Sequence, residues 1–291
     1  MPAHLASLKS AYEAVKRACD SDSRSIQAGE AICDFAVLSL EFLRDHCTQV
    51  DLVSRVPGKT YVSYRRRRGS AVLSRPANVA MMIEMPETIS AAWGQRQSSL
   101  IDDDLRSKLL YTVALMPCLA LELFDRQNKK APATYFECVI GHIFARSVGA
   151  NPRKKTSLPV CGRQVRLTMD FLFECPNGLK VHLPVKMSTR ERVVQAWSHQ
   201  RLLDGAFGQH AYRAIMVCFA ETKLDSRSLE VIEICVPEQW LAYQVLLAKM
   251  DRIYYFDVPV RYKTLSEQFP EIITVKPFTE FFREREAVLA P

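Results

Sequence analysis

The chain has 291 residues, of which 48% are hydrophobic and 24% are charged, so it can bury one large core or two unequal cores. This composition excludes a fibre, a collagen and a largely disordered chain, and the net charge of +7 is compatible with a polyanionic partner. The longest apolar stretch, Tyr111–Leu123, is too short to span a bilayer, and the N-terminus lacks the charged start and apolar run of a secretory signal, so we expect no membrane partner.

The first half of the chain is predicted to be mostly helical. Four stretches have the pattern of helices: 5–19, 27–46, 101–126 and 133–149. Three aspartates, Asp102–Asp104, stand at the start of the third stretch, where carboxylates interact favourably with the positive end of the helix dipole. The region 53–85 is less regular. It contains a short strand-like run, Tyr61–Tyr64, followed by the basic run Arg65, Arg66, Arg67 and Arg68.

The pattern changes after residue 150, where strand-like runs alternate with helices. The strand-like runs are 163–174, 179–186, 211–220, 229–236 and 252–256, and the helical ones are 190–204 and 238–249. Between the first two runs, Cys175-Pro176-Asn177-Gly178 is a strong turn signal. The alternation predicts an α/β core, in which a mostly helical N-terminal part packs on a C-terminal sheet. We divide the chain into regions 1–130 and 131–291, although no obvious linker separates them.

The predicted hairpin brings one carboxylate and one ammonium group together. Residues whose numbers add up to about 355 lie opposite each other, with Cβ atoms about 4.5–5.5 Å apart, so Asp170 faces Val185 or Lys186. Hydrolysis of a phosphodiester suits an oxygen-rich Mg²⁺ site with a lysine that stabilises the transition state. Asp170 and Lys186 supply a minimal version, and Glu137 in the preceding helix is a second acid. The alternative is a structural Asp–Lys pair across a hairpin.

A helix start follows the lysine and carries two arginines around a glutamate: Arg190, Glu191 and Arg192. Arginine donates two hydrogen bonds to guanine O6 and N7, and glutamate accepts one from cytosine N4. The triplet is therefore suited to reading adjacent C·G pairs in the major groove. A solvated, salt-bridged helix terminus is the alternative for the triplet alone.

Asp170, then Val185-Lys186, then the Arg-Glu-Arg triplet four residues after the lysine resemble one branch of the PD-(D/E)xK nucleases. That branch comprises type II restriction endonucleases that recognise CCGG, CCNGG, CCWGG and related sites, and in it an R-(D/E)-R element follows the catalytic lysine. Gln195 also resembles a recurring glutamine of the branch. The resemblance covers roughly residues 133–205 and has no specific counterpart before residue 130.

The resemblance implies a central mixed β-sheet flanked by helices and a role for each of these residues. Asp170 would be the central ligand of Mg²⁺, for which Mn²⁺ substitutes, Lys186 the catalytic lysine and Glu137 the accessory acid. The bases would be read by Arg190, Glu191 and Arg192. The implied function is a Mg²⁺-dependent endonuclease that cuts double-stranded DNA at a palindromic site with CC and GG half-sites. Region 131–291 would be its catalytic core, and region 1–130 would contact DNA or form a dimer.

Two positions depart from the pattern of the branch. Pro184 stands two residues before Lys186, where the general motif has Asp or Glu, although this branch often moves that carboxylate to the following helix. There it is expected 13 or 14 residues after the lysine, at positions that hold His199 and Gln200. His199 and Asp204, one turn further, are therefore the candidates for a second metal ligand, although imidazole matches Mg²⁺ less well than oxygen does.

Basic residues outside the triplet are candidate phosphate contacts, which would add affinity without specificity. They are Arg65, Arg66, Arg67, Arg68, Lys154 and Lys155, and a solvated basic surface is the alternative for each. A palindromic site predicts a symmetric homodimer, with pairing of dimers into tetramers left open. A restriction enzyme also requires a companion DNA methyltransferase. The nine cysteines lack CxxC spacing and predict reduced thiols, consistent with the cytoplasm of a prokaryote.

Two other functions stay open. The first is a non-restriction nuclease of the same superfamily, such as a repair enzyme, in which changing Arg190 or Arg192 would leave sequence preference intact. The second is a DNA-binding protein that has lost catalysis, and the missing carboxylate at residues 199 and 200 is its best support. That alternative predicts specific binding without cleavage in Mg²⁺ or Mn²⁺.

Overall fold

The computed structural model describes residues 3–69, 71–98, 100–125, 127–189 and 193–291. The chain divides into two compact units: Met1–His142 with Thr222–Glu233, and Ile143–Glu221 with Ile234–Pro291. This division falls inside a helix, and a later segment of the chain belongs to the first unit, whereas the functional regions 1–130 and 131–291 stay a prediction.

The described elements follow one another as helices first and strands later. The helices are α1 (Ala3–Asp22), α2 (Ile26–His46), α3 (Pro86–Trp93), α4 (Asp103–Phe124), α5 (Ala131–Val148), α6 (Val193–Phe207), α7 (Pro237–Leu246), α8 (Val260–Gln268) and α9 (Glu280–Val288). The strands are β1 (Cys47–Asp51), β2 (Val53–Ser54), β3 (Tyr61–Arg66), β4 (Ala77–Asn78), β5 (Arg153–Val160), β6 (Arg163–Glu174), β7 (Lys180–Leu183), β8 (Val185–Lys186), β9 (Arg213–Cys218), β10 (Thr222–Asp225), β11 (Glu230–Glu233), β12 (Arg252–Tyr255) and β13 (Val275–Pro277).

Helix α4 is the central helix of the first unit. It begins after Asp102, whose carboxylate accepts a hydrogen bond from the Leu105 amide over 3.0 Å and so caps the helix. Among the described helices it alone is long and apolar enough to cross a membrane, but 78% of its most apolar window is buried inside the protein. A helix that is apolar all round and covered on most sides is a core helix.

A proline inside α4 leaves one carbonyl without its helical partner. Pro117 has no N–H, so the carbonyl of Val113, four residues earlier, receives no hydrogen bond from the helix itself. The Tyr135 hydroxyl on α5 donates to this carbonyl over 2.9 Å and replaces the missing bond. The packing of α5 on α4 therefore compensates for a residue that would otherwise weaken the helix.

Two small sheets complete the first unit. Strand β3 pairs antiparallel with β1 and β4, and the hairpin of β10 and β11 adds β2 as a parallel neighbour. The run 229–236 was expected to be a buried strand of the α/β core. It is instead the short strand β11, where only Val231 is buried because a single face of the hairpin is covered.

The sheet of the second unit has the strand order β13-β12-β9-β7-β6-β5, with β8 also pairing with β9. The sheet is parallel on one side, where β9 pairs with β7, β8 and β12, and β12 pairs with β13. It is antiparallel on the other side, where β6 pairs with both β5 and β7. The apolar run Ala214–Cys218 fits the interior of a parallel sheet that is covered on both faces. The predicted central mixed sheet flanked by helices is confirmed.

Helices cover both faces of this sheet, as two adjacent residues of β12 illustrate. Tyr255 packs on Trp240 of α7, with ring centroids 6.2 Å apart, while Tyr254 points to the opposite face and meets Phe281 of α9 at 5.9 Å. On the first face, the fully buried Trp197 of α6 meets Trp240 at 5.2 Å. Replacing such a core tryptophan with alanine costs about 3–5 kcal/mol of stability. Helix α6 is therefore firmly attached to the sheet beside β7 and β9.

Candidate active site

A tight hairpin joins β6, which holds Asp170, to β7, and β8 with Lys186 follows directly after β7. The two strands pair antiparallel with Leu172 opposite His182, so opposed residue numbers add up to 354. At the turn, Gly178 has a φ of 87°, which glycine adopts without strain, and its N–H donates to the Cys175 carbonyl over 2.9 Å. The register expected from the sequence was therefore right to within one residue.

Asp170 and Lys186 meet beside this hairpin. Lys186 Nζ donates to Asp170 Oδ2 over 2.7 Å, and the Val185 amide donates to the same oxygen over 3.0 Å. Both side chains are partly accessible, with 18% of Lys186 and 23% of Asp170 exposed. Within the described part of the chain no donor reaches Asp170 Oδ1, so one carboxylate oxygen is available. The predicted proximity of the two residues is confirmed.

Two irregularities of the strands accompany this pair. Pro184 separates β7 from β8, and its carbonyl accepts a hydrogen bond from β9 over 2.9 Å, which keeps a residue without an N–H inside the sheet. On the other side, the register of β5 and β6 shifts between Arg153 and Lys155, opposite the stretch 168–172 that contains Asp170. Such bulges re-aim side chains and are common beside active sites.

A buried histidine, which the sequence pattern marks only as a polar residue in an apolar strand, lies near the pair. His182 of β7 is fully buried, and its Nδ1 donates to Gln200 Oε1 on α6 over 2.9 Å. Its Nε2 has no hydrogen-bond partner among the described residues. Burial lowers the pKa of His182 to about 4, against a smaller raising effect of the bond to Gln200. The ring is therefore neutral at pH 7.

His199 of α6 lies within electrostatic reach of the pair. Its ring centroid is 6.4 Å from that of His182. Burial lowers the pKa of His199, the Asp170 carboxylate raises it and the Lys186 ammonium lowers it. The structure thus places this candidate metal ligand within electrostatic reach of Asp170, and burial favours its neutral form.

Gln200 and Asp204 belong to a separate group. The buried Gln200 donates through Nε2 to Asp204 Oδ1 over 2.8 Å and to the Tyr212 carbonyl over 3.0 Å. Burial raises the pKa of the Asp204 carboxyl, and the hydrogen bond from Gln200 lowers it. Within the described residues the side chain of Asp204 bonds to Gln200 and not to Asp170 or Lys186.

The donor set fits a divalent metal ion in a minimal way. Proteins hold Mg²⁺ through one or two carboxylates together with substrate phosphate and water oxygens, and Asp170 with its available oxygen meets the lower limit. No group of three or more His, Cys, Asp or Glu side chains placed to hold a metal occurs in the ranges that the structure describes. That His199 is a further metal ligand stays a prediction, and imidazole suits Mg²⁺ less well than oxygen does.

The structure describes some of the other predicted residues and leaves three of them outside the described ranges. Glu137 is half-buried on α5 and belongs to the first unit, and its role as accessory acid stays a prediction. The triplet lies outside the described residues: Arg190, Glu191 and Arg192. Gln195 is exposed on α6.

Thr189, which precedes the triplet, donates to the buried carboxylate of Glu221. The sequence pattern marks Glu221 only as an acid that ends an apolar run.

One arginine of the basic run at the end of β3 is bonded to the protein itself. Arg67 donates through Nε, Nη1 and Nη2 to three carbonyls at the end of α2, at distances of 3.0–3.1 Å, and thereby caps that helix. Its guanidinium is therefore structural. Arg65 and Arg68 are exposed, and Arg65, Arg66 and Arg67 line a cavity of about 370 Å³ together with Thr48.

The two lysines on β5 also differ from each other. Lys154 is exposed, and its ammonium group lies 5.0 Å from the centre of the Phe171 ring. Lys155 is exposed and lies opposite Thr168 in the hairpin of β5 and β6. Their contacts with DNA phosphates stay predictions.

The fold is similar to that of solved restriction endonucleases. The crystal structure of the type IIP restriction endonuclease Kpn2I matches with a TM-score of 0.81 and 20% sequence identity, over 96% of this chain and 96% of that chain. The restriction endonuclease PspGI, in a complex with substrate DNA, matches with a TM-score of 0.44 and 14% identity, over 70% of this chain and 92% of that chain. Comparisons with protein-family models and with curated proteins find no match. The first likeness shows that the chain has the fold of a type IIP restriction endonuclease.

Proposed function

We propose that this chain is a sequence-specific endonuclease of double-stranded DNA, of the type II restriction class. The observation that carries the proposal is the Asp170–Lys186 pair on the hairpin of a mixed sheet, in a fold similar to that of Kpn2I. A carboxylate with one available oxygen beside an ammonium group is suited to metal-assisted hydrolysis of a phosphodiester. The triplet that begins four residues after Lys186 adds the chemistry of base recognition.

Each residue of the site has a separate proposed role in hydrolysis. Asp170 would hold Mg²⁺ or Mn²⁺, which supplies a bound water of lowered pKa and neutralises charge on the phosphate. Lys186, with its ammonium group 2.7 Å from Asp170, orients the attacking water and stabilises the charge that develops on the scissile phosphate. His199, whose pKa is lowered by burial, lies within electrostatic reach of Asp170 and would accept a hydrogen bond from a water at this site. Glu137 completes the proposal as accessory acid.

The proposed substrate is a palindromic site with CC and GG half-sites. Arg190 and Arg192 would donate to guanines and Glu191 would accept from cytosine. A homodimer, with or without pairing into tetramers, matches the two-fold symmetry of such a site. Exposed cations, among them Arg65 and Lys155, would bind phosphates. The proposal includes a companion DNA methyltransferase and a place in the cytoplasm of a prokaryote.

Digestion of a sequenced plasmid in Mg²⁺ tests the proposal. We expect discrete fragments from the wild-type protein, and their mapped ends give the recognition site. Asp170→Ala and Lys186→Ala should abolish the fragments while both variants remain folded by circular dichroism. A wild-type protein that cuts at random positions, or fragments that persist in both variants, would contradict the proposal.

A sequence-specific DNA-binding protein without catalysis is the second candidate. The observation in its favour is the absence of a carboxylate at residues 199 and 200, where the sequence has histidine and glutamine. It predicts a specific gel shift on duplexes with CC and GG half-sites and no fragments in Mg²⁺ or Mn²⁺. A repair-type nuclease predicts instead that cleavage preference survives Arg190→Ala and Arg192→Ala.

A further inference from the structure

A buried carboxylate follows the end of the central strand β9. Only 1% of Glu221 is exposed, yet its Oε1 accepts hydrogen bonds from the Thr189 amide (2.8 Å), the Thr189 hydroxyl (2.7 Å) and the Tyr255 hydroxyl (2.8 Å). Its Oε2 accepts a further bond from the Thr189 amide (3.1 Å). Burying a carboxylate costs stability unless donors satisfy it, and bonds to a charged acceptor are about twice as strong as neutral ones. Thr189 is therefore held firmly.

The segment from Lys186 to Thr189 is bonded to the end of β9 step by step. The Lys186 carbonyl accepts from the Phe219 amide over 2.9 Å, and the Met187 carbonyl accepts from the Ala220 amide over 3.3 Å. Thr189 then bonds to Glu221. Phe219, Ala220 and Glu221 therefore hold the chain in place from Lys186 to Thr189. Thr189 is the residue that is covalently joined to Arg190.

The carboxylate of Glu221 is also bonded to a strand of the sheet. Tyr255, the second donor to Glu221, lies on β12, which pairs in parallel with β9 and places Tyr255 opposite Cys218. Burial raises the pKa of Tyr255 well above its ordinary value, so its hydroxyl keeps the proton that it donates. Glu221 therefore links Thr189 to Tyr255 on the strand β12.

We propose that Glu221 is a positioning residue that fixes Thr189, the residue joined to the base-reading triplet, relative to Lys186, and that base recognition depends on this anchor. The inference rests on the proposed function, because it assigns recognition to the triplet and catalysis to Lys186. Sequence reading and strand cutting would then be coupled by a four-residue segment. Loss of the anchor should lower the discrimination between sites, whereas an equal loss of folding stability elsewhere in the unit should leave the discrimination unchanged.

Thr189→Val tests the proposal because valine has nearly the shape of threonine and lacks the hydroxyl donor. Thr189→Ser keeps the donor, and Tyr255→Phe removes the other hydroxyl from Glu221. Ser266→Ala is the matched control: its hydroxyl bonds to the Ile273 carbonyl over 3.1 Å and accepts from the Val275 amide over 3.0 Å in the same unit. For each variant, kcat/KM and Kd are measured on the preferred duplex and on one with a single changed base pair, together with Tm.

We expect Thr189→Val to lower the discrimination ratio about tenfold, since a misplaced bidentate contact loses most of its preference for the correct base. Tyr255→Phe should lower the ratio less, and Thr189→Ser should restore it. Ser266→Ala should lower Tm and leave the ratio unchanged. A wild-type ratio in Thr189→Val, or equal losses in Thr189→Val and Ser266→Ala, would overturn the role of Glu221.

Failure of the proposed function gives a different result. If the wild-type protein binds its site and does not cut, catalysis as proposed fails, and the ratio of Kd values still tests Glu221. If the wild-type protein shows no preference among duplexes, the base-reading role of the triplet fails, and the inference about Glu221 fails with it.

Discussion

Two pairs of opposite charge, one in each compact unit, have similar exposure and different hydrogen bonding. In the first unit, Arg75 is 27% and Glu122 25% exposed, and in the second, Lys186 is 18% and Asp170 23% exposed. Arg75 Nε donates to Glu122 Oε1 over 2.7 Å, and the Arg75 amide donates to Oε2 over 2.9 Å, so both carboxylate oxygens have donors. Asp170 accepts both of its bonds through Oδ2, and no donor in the described ranges reaches its other oxygen.

The two pairs therefore differ in whether both carboxylate oxygens have hydrogen-bond donors, and not in burial. This difference separates the structural pair from the candidate catalytic one. A guanidinium is a planar group with a fixed set of donors, whereas an ammonium is a compact point charge that leaves room for other ligands. Arg75 and Glu122 join a loop to helix α4 with the carboxylate fully satisfied. Asp170 and Lys186 keep an available oxygen, with His199 within electrostatic reach.

Replacing Lys186 with methionine is expected to have the largest effect. Methionine keeps the stem and removes the charge, and loss of a group that stabilises a transition state lowers the rate about 10²–10³-fold. A partly exposed ion pair contributes only about 0–1 kcal/mol to stability. We therefore expect single-turnover cleavage to fall while the free energy of unfolding in urea hardly changes. Lys186→Arg, which keeps the charge, is the control, and cleavage at the wild-type rate in Lys186→Met would break the comparison.

His182 should make stability depend on pH. Its pKa is lowered by burial from 6.5 to about 4 in the folded protein, so folding favours the neutral ring. The stabilisation is complete above pH 6.5 and is lost as the pH falls from 6.5 toward 4, by up to about 3 kcal/mol. Urea denaturation across this range should show a decline that is flatter in His182→Gln, whose amide does not titrate. Equal pH dependence in both proteins would rule out this role of His182.

Arg75→Met should give the opposite result to Lys186→Met. The substitution removes the guanidinium donors of residue 75 and leaves only its backbone amide to donate to Glu122, which is 25% exposed. An unsatisfied polar group costs about 1–3 kcal/mol of stability. We expect lower stability in urea and an unchanged cleavage rate per folded molecule. Arg75→Lys, which keeps a charge without the planar fork, should lie between. A lost cleavage rate at full stability would show that the first pair is not merely structural.

His199→Glu sharpens the comparison from the other side. It adds a second carboxylate at a position that lies within electrostatic reach of Asp170. The Mg²⁺ concentration for half-maximal cleavage should fall about tenfold, because affinity rises with the number of charged ligands. His199→Gln controls for the loss of the ring. Complete loss of cleavage in both variants would indicate that the imidazole itself is required.

The candidate site is predictable from the sequence where the pattern is local. The turn at Cys175–Gly178 sets the register to within one residue, which suffices to place Asp170 against Lys186. Apolar runs such as Ala214–Cys218 likewise predict strands of an α/β sheet, because both faces of those strands are covered.

Contacts between distant segments do not follow from such patterns. Glu221 bonds to residues 32 positions before it and 34 positions after it, and no spacing rule links three such positions. The run at β11 reads as a core strand, yet it pairs with β2 in the first unit, because pairing depends on tertiary neighbours. Beyond residue 256 the sequence pattern predicts no element, since α8, β13 and α9 have only 9, 3 and 9 residues.

The most direct test exchanges one carboxylate for an amide in each pair, as Asp170→Asn and Glu122→Gln. Site-specific cleavage of a mapped plasmid and the free energy of unfolding are measured side by side on the two variants. We predict that Asp170→Asn loses cleavage and keeps its stability, and that Glu122→Gln loses stability and keeps its cleavage rate per folded molecule. Fragments produced by Asp170→Asn at the wild-type rate would contradict the assignment of catalysis to this pair.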